Sequence, residues 1–484
     1  MTVSRKPRSL PDDQKLRLWG VGWALALTFA AAVLAAGGTL YGLVVLLDFQ
    51  KIDTTAKLDA KTLFDLVKLS FGVVAGAGAL VALVVAYRRQ RVDEAGAHRE
   101  ATRLHTERFS QAVDKLGSDS PAVRLGGVHA LAGLADDAPD DSLRQTCIDV
   151  LCAYLQLPFT PDPGTDPAHQ EEHHRYLAFR KVRHTILRLI GDHYRRPKGT
   201  HRSWQGCDLD LTGVTIDGDI DFQGAEFYGG NVSFRGATFS DGTVSFRDAT
   251  FADGTVSFSD ATFSSSTVLF GDATFSGSTV YFTGAEFSGS NVYFSGAEFS
   301  DGTVSFSRAE FSGGDVSFHG AEFSGSSVAF SSATFSDGTM SFSDATFSDG
   351  TVDFRSATFS GGTVSFSVAT FSGSAVPFRG ATFSGSTVYF DDATFSAGAV
   401  SFRGATFSGS AVPFRGATFS GSTVYFHGAE FSGGTVYFHG ATFSDGTVYF
   451  DDATGAVPQG LLAAVGTPPP AGVTLPAAWL LSAP

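Results

Sequence analysis

The chain has 484 residues, and 46 Phe and 56 Gly stand beside only 2 Met. Such a bias is unlike that of an ordinary globular enzyme and indicates internal repetition. The formal net charge of −15 is uneven, because residues 206–453 hold 27 acidic and 7 basic side chains while the remainder is basic overall.

The cysteines Cys147, Cys152 and Cys207 show no paired spacing. This excludes a disulfide framework and a zinc motif, and it predicts free thiols in a reducing compartment.

The N-terminal part predicts a membrane anchor. A basic segment (1–18) precedes an uncharged run (19–47), and a second uncharged run (69–87) follows. Both runs are long enough to cross a bilayer as helices. The first is too long for the apolar part of a signal peptide and lacks a small-residue cleavage site. We therefore predict a two-helix transmembrane hairpin over 19–87, with the lipid bilayer as a partner.

Basic residues predict the orientation of this hairpin. Arg5, Lys6 and Arg8 precede the first run, and Arg88 and Arg89 follow the second. The connecting segment is less basic on balance, so the positive-inside rule places both ends in the cytoplasm. We expect a multi-pass protein of the cell membrane with a cytoplasmic repeat domain.

Residues 88–200 have helical apolar spacing and predict a small α-helical region. One helix is expected from Asp140 or Asp141 to Leu157. Another is expected over 171–194, burying Leu177, Ile186 and Ile190.

Two clusters of charged residues in this region are candidate sites. Glu171, Glu172, His173 and His174 are adjacent on a helix, where successive side chains point about 100° apart, so a solvated helix start is favoured over a metal site. A basic cluster is compatible with lipid headgroups or nucleic acid, although a solvated face is favoured. Its members are Arg180, Lys181, Arg183, Arg188, Arg195, Arg196, Lys198 and Arg202.

A strict twelve-residue period runs from residue 206 to residue 453. Phe recurs at 20 sites from Phe222 to Phe450 and, in a second register, at 19 sites from Phe227 to Phe443. The unit is V-x-F-x-x-A-x-F-S-x-x-x. Alternation within each short run places Val, Phe and Ala on one side of a strand, so stacked units form a continuous interior. This structural ladder begins with Phe222, Phe227, Phe234, Phe239, Phe246, Phe251, Ala225, Ala237, Val232 and Val244.

The motifs "FRGATF", "FSGAEF" and "FHGATF" resemble those of the pentapeptide-repeat family. That resemblance implies a mainly β fold, a right-handed quadrilateral β-helix. The stretches "ERFSQAVDKLGS" and "VRLGG" resemble the helical region that precedes the repeats in membrane-linked bacterial members. Successive Phe are five and then seven residues apart, and the seven-residue step departs from the family's five.

Each coil is expected to consist of two of these units, with a single unit per coil as the alternative. Glu286, Glu298, Glu310 and Glu322 recur every twelve residues. A 12-residue coil would stack all four carboxylates on one face, whereas a 24-residue coil divides them between two faces, which favours the larger coil. About ten coils would then form a rod of about 50 Å at a strand spacing of about 4.8 Å.

Two blocks, 369–390 and 405–426, are identical, and a duplication of three units accounts for them. Pro377 and Pro413 inside them remove a ladder donor and predict weaker pairing. The Pro-rich tail, 454–484, is expected to provide a C-terminal cap for the solenoid.

The sequence predicts no catalytic, cofactor-binding or metal-binding residue, and hence a non-enzymatic protein without cofactors. We expect a membrane-anchored structural or interaction scaffold. Its outward positions are mostly Ser, Thr, Gly and Asp without aromatic anchors, and its protein partner and oligomeric state are left open. The alternative is an acidic DNA mimic that regulates a DNA-binding enzyme such as gyrase, as the resemblance allows; nucleic acid itself is not an expected partner.

Overall fold

The computed structural model describes residues 60–160, 162–466, 468–469 and 471–480, and, nearer the N-terminus, residues 27, 29–31, 33–34, 37–38 and 41. The predicted basic N-terminus and most of the first apolar run lie outside these residues. The chain forms two compact units, Met1–Arg103 and Leu104–Pro484.

Between residues 60 and 200, four α-helices precede the repeats. Helix α1 spans Ala60–Leu116 and contains the second apolar run, α2 spans Pro121–Asp136, α3 spans Asp141–Gln156 and α4 spans Gln170–Tyr194. A short 3-10 helix, Pro167–His169, leads into α4. Within the described ranges, no helix combines the length and the apolar character that crossing a membrane requires.

Helices α2, α3 and α4 pack around a common apolar core. Helix α3 begins after Asp140, whose side chain accepts a hydrogen bond of 2.9 Å from the backbone N–H of Leu143. On α4, Ile186 and Ile190 are buried, but Leu177 is 43% exposed, so its predicted burial is wrong. Leu177 precedes Ile186 by nine residues, which at about 100° per residue places it on the opposite side of the helix.

Four parallel sheets follow, here called A, B, C and D in the order in which each coil visits them. Sheet A starts with Leu209–Asp210 and Asn231–Ser233 and gains one short strand in every coil to Thr447–Tyr449, ending with Val473–Thr474. Sheet B runs likewise from Thr215–Asp217 and Thr238–Ser240 to Glu430–Ser432 and Thr454–Gly455. Sheet C runs from Ile220–Asp221 and Thr243–Ser245 to Thr435–Tyr437, and sheet D from Glu226–Tyr228 to Thr442–Ser444. The coil is therefore four-sided, with A opposite C and B opposite D.

The strand register confirms a coil of two sequence units. Phe263 lies beside Phe239 in one neighbouring coil and beside Phe287 in the other. A coil of one unit, which would place Phe263 beside Phe251, is thereby excluded. The four sheets contain 12, 11, 10 and 10 strands.

The ladder residues form the interior of the solenoid. Each of the ten ladder residues given above is at most 5% exposed, and so are the corresponding residues of nearly all later coils. Rings in neighbouring coils stack nearly parallel, as for Phe246 and Phe270, whose centroids are 4.9 Å apart. Rings from opposite sides meet edge to face, as for Phe246 and Phe258 at 5.7 Å. Both arrangements are favourable for aromatic pairs.

Tight corners connect the strands. The second residue after each Phe of the first register has a positive φ, whether it is Gly236 (63°), Asp248 (55°) or Val368 (63°). Gly, Asp and Ser fill most of these positions because they tolerate or locally stabilise the left-handed conformation. The backbone conformation of the corner therefore repeats as strictly as the core, whereas its residue type varies.

The prolines weaken the ladder locally. The strand that contains Pro377 pairs with its preceding neighbour through one residue, Ala375 beside Thr351. The strand that contains Pro413 does so through Ala411 beside Thr387. Most other neighbours share two or three residue pairs, as expected if proline removes one donor.

The tail covers the far end of the rod. Helices α5 (Leu461–Val465) and α6 (Ala477–Leu480) flank the strand Val473–Thr474 of sheet A. Trp479 of α6 is buried against Phe431 and Phe450, with ring centroids 5.9 and 5.6 Å apart. Its indole N–H donates to the Gly455 carbonyl at 3.1 Å. Trp479 thus shields Phe431 and Phe450 from water, whereas Phe443, the last ring of the second register, stays partly exposed.

Candidate interaction surfaces

The acidic and histidine residues at the start of α4 do not converge on one point. His173 Nδ1 lies 2.6 Å from a carboxylate oxygen of Asp162, and Glu172 bonds to His169 at 3.1 Å. No group of three or more metal-ligating side chains occurs in the described part of the chain. These side chains bond to local neighbours at the start of the helix.

Much of the basic cluster binds the first coil of the solenoid. Arg180 and Arg183 donate hydrogen bonds to the backbone carbonyls of Asp217 and Thr215, at 3.0 and 2.8 Å. Arg195 donates from Nε to the carbonyl of Gln223 at 2.7 Å. The first strands have no preceding coil to donate to these carbonyls, and α4 supplies the donors. The cluster is thus largely an N-terminal cap, and the predicted solvated face is reduced to residues such as Lys181 and Arg188.

Asp217 is the centre of this junction. Arg180 Nε donates to Asp217 Oδ2 at 2.9 Å, His184 lies 3.3 Å from Oδ1, and the Tyr176 hydroxyl donates to Oδ2. Burial alone would raise the pKa of Asp217, but the hydrogen bonds from His184 and Tyr176 and the charge of Arg180 outweigh it and lower the pKa to about 2. The carboxylate is therefore ionised at neutral pH and ties α4 to sheet B.

The three cysteines are free. Burial raises the pKa of Cys147 and Cys207 to about 11 and that of Cys152 to about 12. Since the thiolate is the nucleophile, these thiols react slowly at neutral pH.

The four glutamates of the middle coils lie in two pairs. Glu286 is beside Glu310 in sheet B, and Glu298 is beside Glu322 in sheet D. All four side chains are exposed. Because one pair lies in sheet B and the other in sheet D, the predicted division of the glutamates between two faces is confirmed. They form an acidic belt on opposite sides of the rod.

A family model described as "Pentapeptide repeats (9 copies)" matches five segments of this chain, residues 204–250, 229–269, 282–328, 366–412 and 402–454. These segments of the chain are pentapeptide repeats. A search of curated proteins gave no significant match. Pentapeptide-repeat solenoids are generally non-enzymatic, and the family match indicates a repeat scaffold.

The pentapeptide-repeat domain also carries aromatic side chains that the sequence prediction missed. Six units read Val-Tyr-Phe, and the tyrosines point outward from sheets A and C: Tyr281, Tyr293, Tyr389, Tyr425, Tyr437 and Tyr449. Tyr425 is 37% exposed and stacks on Tyr449 at 5.3 Å between centroids. The expectation of an outer surface without aromatic anchors was therefore wrong. The triplets themselves were the signal, since Tyr between two inward residues must point outward.

Three histidines lie on the outside of the repeats. His319 and His427 lie 3.6 and 3.8 Å from carboxylates of Asp344 and Asp452 in the next coil, and His439 is exposed. They replace the Ser, Arg, Asp or Thr found at the equivalent positions of most other units.

Proposed function

We propose that the protein is a membrane-anchored, non-catalytic scaffold that presents its pentapeptide-repeat solenoid to a protein partner in the cytoplasm. The observation that carries this proposal is the contrast between interior and surface. The inward positions repeat from coil to coil, whereas aromatic, acidic and basic side chains vary on the outward ones. Variation confined to the surface suits a molecule that acts by contact.

The sequence supports the anchor. The runs 19–47 and 69–87 contain no charged residue, and arginines flank them on both outer sides. Large apolar side chains of α1, including Leu80, Leu83 and Val84, are more than half exposed. Such exposure is costly in water and favourable in lipid.

Fractionation tests the anchor. We expect the full-length chain to remain in the membrane pellet after carbonate extraction, and a chain lacking residues 19–87 to be released. Release of the full-length chain would contradict the anchor.

Thiol labelling tests the orientation, because the native cysteines are poorly reactive. Ser9→Cys reports the N-terminal segment and Thr303→Cys an exposed position of the solenoid. In intact cells we expect a membrane-impermeant maleimide to label neither, and after permeabilisation to label both. Labelling in intact cells would place that segment outside.

The stacked pair Tyr425 and Tyr449 is the proposed centre of the contact. Tyrosine supplies a large rigid surface with a polar end, and it is enriched at interface hot spots. Its neighbours His427 and Asp452 provide charge near the pair. Most of the remaining surface consists of small polar residues, which suit the rim of an interface.

Paired substitutions test this contact. Serine already occupies the same unit position at Ser233, Ser257 and Ser305, so Tyr→Ser is compatible with the coil. The partner is captured by cross-linking in membranes, and its amount is compared with that captured by the native chain. We expect the variant Tyr425→Ser/Tyr449→Ser to capture at least about tenfold less partner. Tyr293→Ser/Tyr389→Ser, which removes two unstacked tyrosines of sheet C, should retain it. Equal retention by both variants would contradict the proposed contact.

The acidic belt favours DNA mimicry as the second candidate, since exposed carboxylates line opposite sides of the rod. Mimicry predicts that the full-length chain in detergent inhibits gyrase supercoiling at micromolar concentration. It also predicts relief of that inhibition by Glu286→Gln/Glu310→Gln. A lack of inhibition would eliminate this candidate and leave the scaffold.

A further inference from the structure

A cavity of about 500 Å³ lies among α2, α3, α4 and the loop that joins α3 to α4. Arg124, Tyr154, Phe159, Phe179 and Arg183 line it, together with Arg175 and Glu172 near its entrance. Its volume is in the range of small-molecule sites in proteins. It shares Arg183 with the junction between α4 and the solenoid, and Glu172 with the start of α4.

Arg183 is a buried cation that feels the charge of Asp217 but forms no close ion pair with it. It is 5% exposed, and it forms no ion pair with a carboxylate in the described part of the chain. Its Nη2 donates a hydrogen bond of 2.8 Å to the Thr215 carbonyl, and the residue lines the cavity. Its guanidinium lies over the ring of Phe159, with Cζ 4.6 Å from the centroid. Burial lowers the pKa of Arg183, which reflects the cost of removing its charge from water.

Arg124 provides a second cation on the same cavity. Its Nη1 donates to the Tyr154 hydroxyl at 3.1 Å, and its Nε donates to the Ser118 carbonyl. Its Cζ lies 4.5 Å from the centre of the Phe179 ring, so the ring holds the guanidinium in place. No carboxylate in the described residues forms an ion pair with it. Two guanidinium groups are thus fixed by aromatic rings and carbonyls, and neither forms a close ion pair with a carboxylate of the described residues.

The other charges of the cavity nearly cancel. Arg175 is 3.4 Å from Glu171 and is mostly exposed, and Glu172 bonds to His169. The cavity therefore keeps a positive excess from Arg124 and Arg183. Its remaining wall is apolar or aromatic and includes Phe159 and Phe179.

We propose that this cavity binds a small organic anion, a carboxylate or phosphate group attached to a flat apolar group. Arg124 and Arg183 bind the anionic oxygens, because guanidinium groups donate two hydrogen bonds to such groups in a fixed geometry. The aromatic and proline side chains of the wall contact the apolar part. Binding would give the buried guanidinium a directly hydrogen-bonded anion, which Asp217 does not provide.

Phenyl phosphate and benzoate are the probes, and benzyl alcohol is the uncharged control. With the full-length chain in detergent, we expect saturable binding of at least one anionic probe by calorimetry. Benzyl alcohol lacks the anionic group, and inorganic phosphate lacks the apolar group. Each should therefore bind at least about tenfold more weakly than the anionic probe. Absence of saturable binding by both anionic probes, or equal binding of benzyl alcohol, would overturn the proposal.

Arginine substitutions locate the binding. Arg183→Met and Arg124→Met keep most of the side-chain volume and should each weaken the bound probe at least about tenfold. Arg188→Met is the matched control, because Arg188 is on the same helix but exposed and paired with Asp192. Should Arg183→Met lose its native circular dichroism, Arg124→Met decides. Unchanged affinity in Arg124→Met would overturn the proposal.

Discussion

The corner residue that follows each Phe of the first register by two positions adopts a left-handed backbone. Among the residues that occupy it, Val368 is the one β-branched side chain in the described corners, with a φ of 63° and 53% exposure. A Cβ branch is strongly disfavoured in that conformation, and the exposed side chain gains little from burial. The surrounding coil therefore holds Val368 in a strained state.

Replacing this valine should stabilise the protein. We expect Val368→Gly to raise the free energy of unfolding by about 1 kcal/mol, since the relief of strain exceeds the added chain entropy of glycine. Gly380→Val places the same branch at the equivalent corner of the next unit and should lower it by a similar amount. Urea titrations followed by circular dichroism measure both, and a less stable Val368→Gly chain would refute the strain.

Asp217 makes the junction between α4 and the solenoid dependent on pH. The pKa of Asp217 in the folded chain is about 2, below the ordinary value of a carboxyl group. The ionised carboxylate therefore stabilises the folded chain to the full extent above about pH 4. As the pH falls toward 2, the carboxylate takes up a proton and that stabilisation is lost. The side chain is 16% exposed, so screening by solvent is limited.

Asp217→Asn isolates this effect. We expect the variant to be less stable than the native chain by about 2 kcal/mol at pH 6, and the difference to shrink below pH 3. Asp221→Asn is the control, because the Asp221 carboxylate is 68% exposed and its ion pair with Arg195 is solvated. A difference for Asp217→Asn that does not change with pH would assign the loss to packing instead.

At the scale of the strand and its corner, the close spacing of neighbouring coils restricts particular glycines. A Cβ on Gly314 would lie 1.9 Å from the Ser290 carbonyl oxygen of the preceding coil. A Cβ on Gly271, at another corner, would meet its nearest atoms at 3.6 Å, an ordinary contact. The close approach of the preceding coil therefore excludes a side chain at Gly314, whereas Gly271 has space for one.

Alanine substitutions distinguish them. Gly314→Ala should cost about 2 kcal/mol or more, because backbone of two coils must separate. Gly271→Ala should be neutral or stabilising by up to about 1 kcal/mol, since it reduces the entropy of the unfolded chain. Thermal unfolding of the two variants compares them directly; a similar loss in both would show that the coils adjust.

The interior of the solenoid could be predicted because the core and the corners repeat together. The alternation of inward and outward residues followed from the Val-x-Phe runs, and the division of Glu286 and Glu298 between faces followed from charge repulsion. These are local arguments that each unit supports independently.

The helical cap could not be predicted in the same way. Arg183 and Arg195 donate to backbone carbonyls 32 and 28 residues further along the chain, and carbonyl acceptors have no sequence pattern. The cavity needs three helices and a loop in place before Arg124 and Arg183 face one space. The outward tyrosines differ from the cap and the cavity, because the Val-Tyr-Phe triplets show them in the sequence and the prediction still missed them.

For the solenoid as a whole, the two ends are closed by different means. Helix α4 supplies hydrogen-bond donors at the first coil, and the tail supplies Trp479 and one additional strand at the last. A parallel stack without such ends would expose unpaired backbone and aromatic rings, on which a second copy could add.

Removing the tryptophan should loosen the last coil. In Trp479→Ala we expect hydrogen exchange at Thr447–Tyr449 to accelerate by more than about tenfold, because the cover over Phe450 is lost. Leu480→Ala, at a half-exposed neighbour, should leave exchange unchanged. Sedimentation of the same samples should show end-to-end association of the tryptophan variant only, and unchanged exchange in that variant would contradict the capping role.

Because two sequence units complete one coil, the parity of a duplication decides where its copy appears. The identical blocks 369–390 and 405–426 are three units apart, so Pro377 lies on sheet A and Pro413 on the opposite sheet C. Gain or loss of a single unit would rotate all later outward side chains by half a turn and leave the interior unchanged. One unit inserted between Tyr425 and Tyr449 would place the two rings on opposite sides of the rod. Changes in repeat number can therefore rearrange the binding surface without any substitution and without a cost to the core.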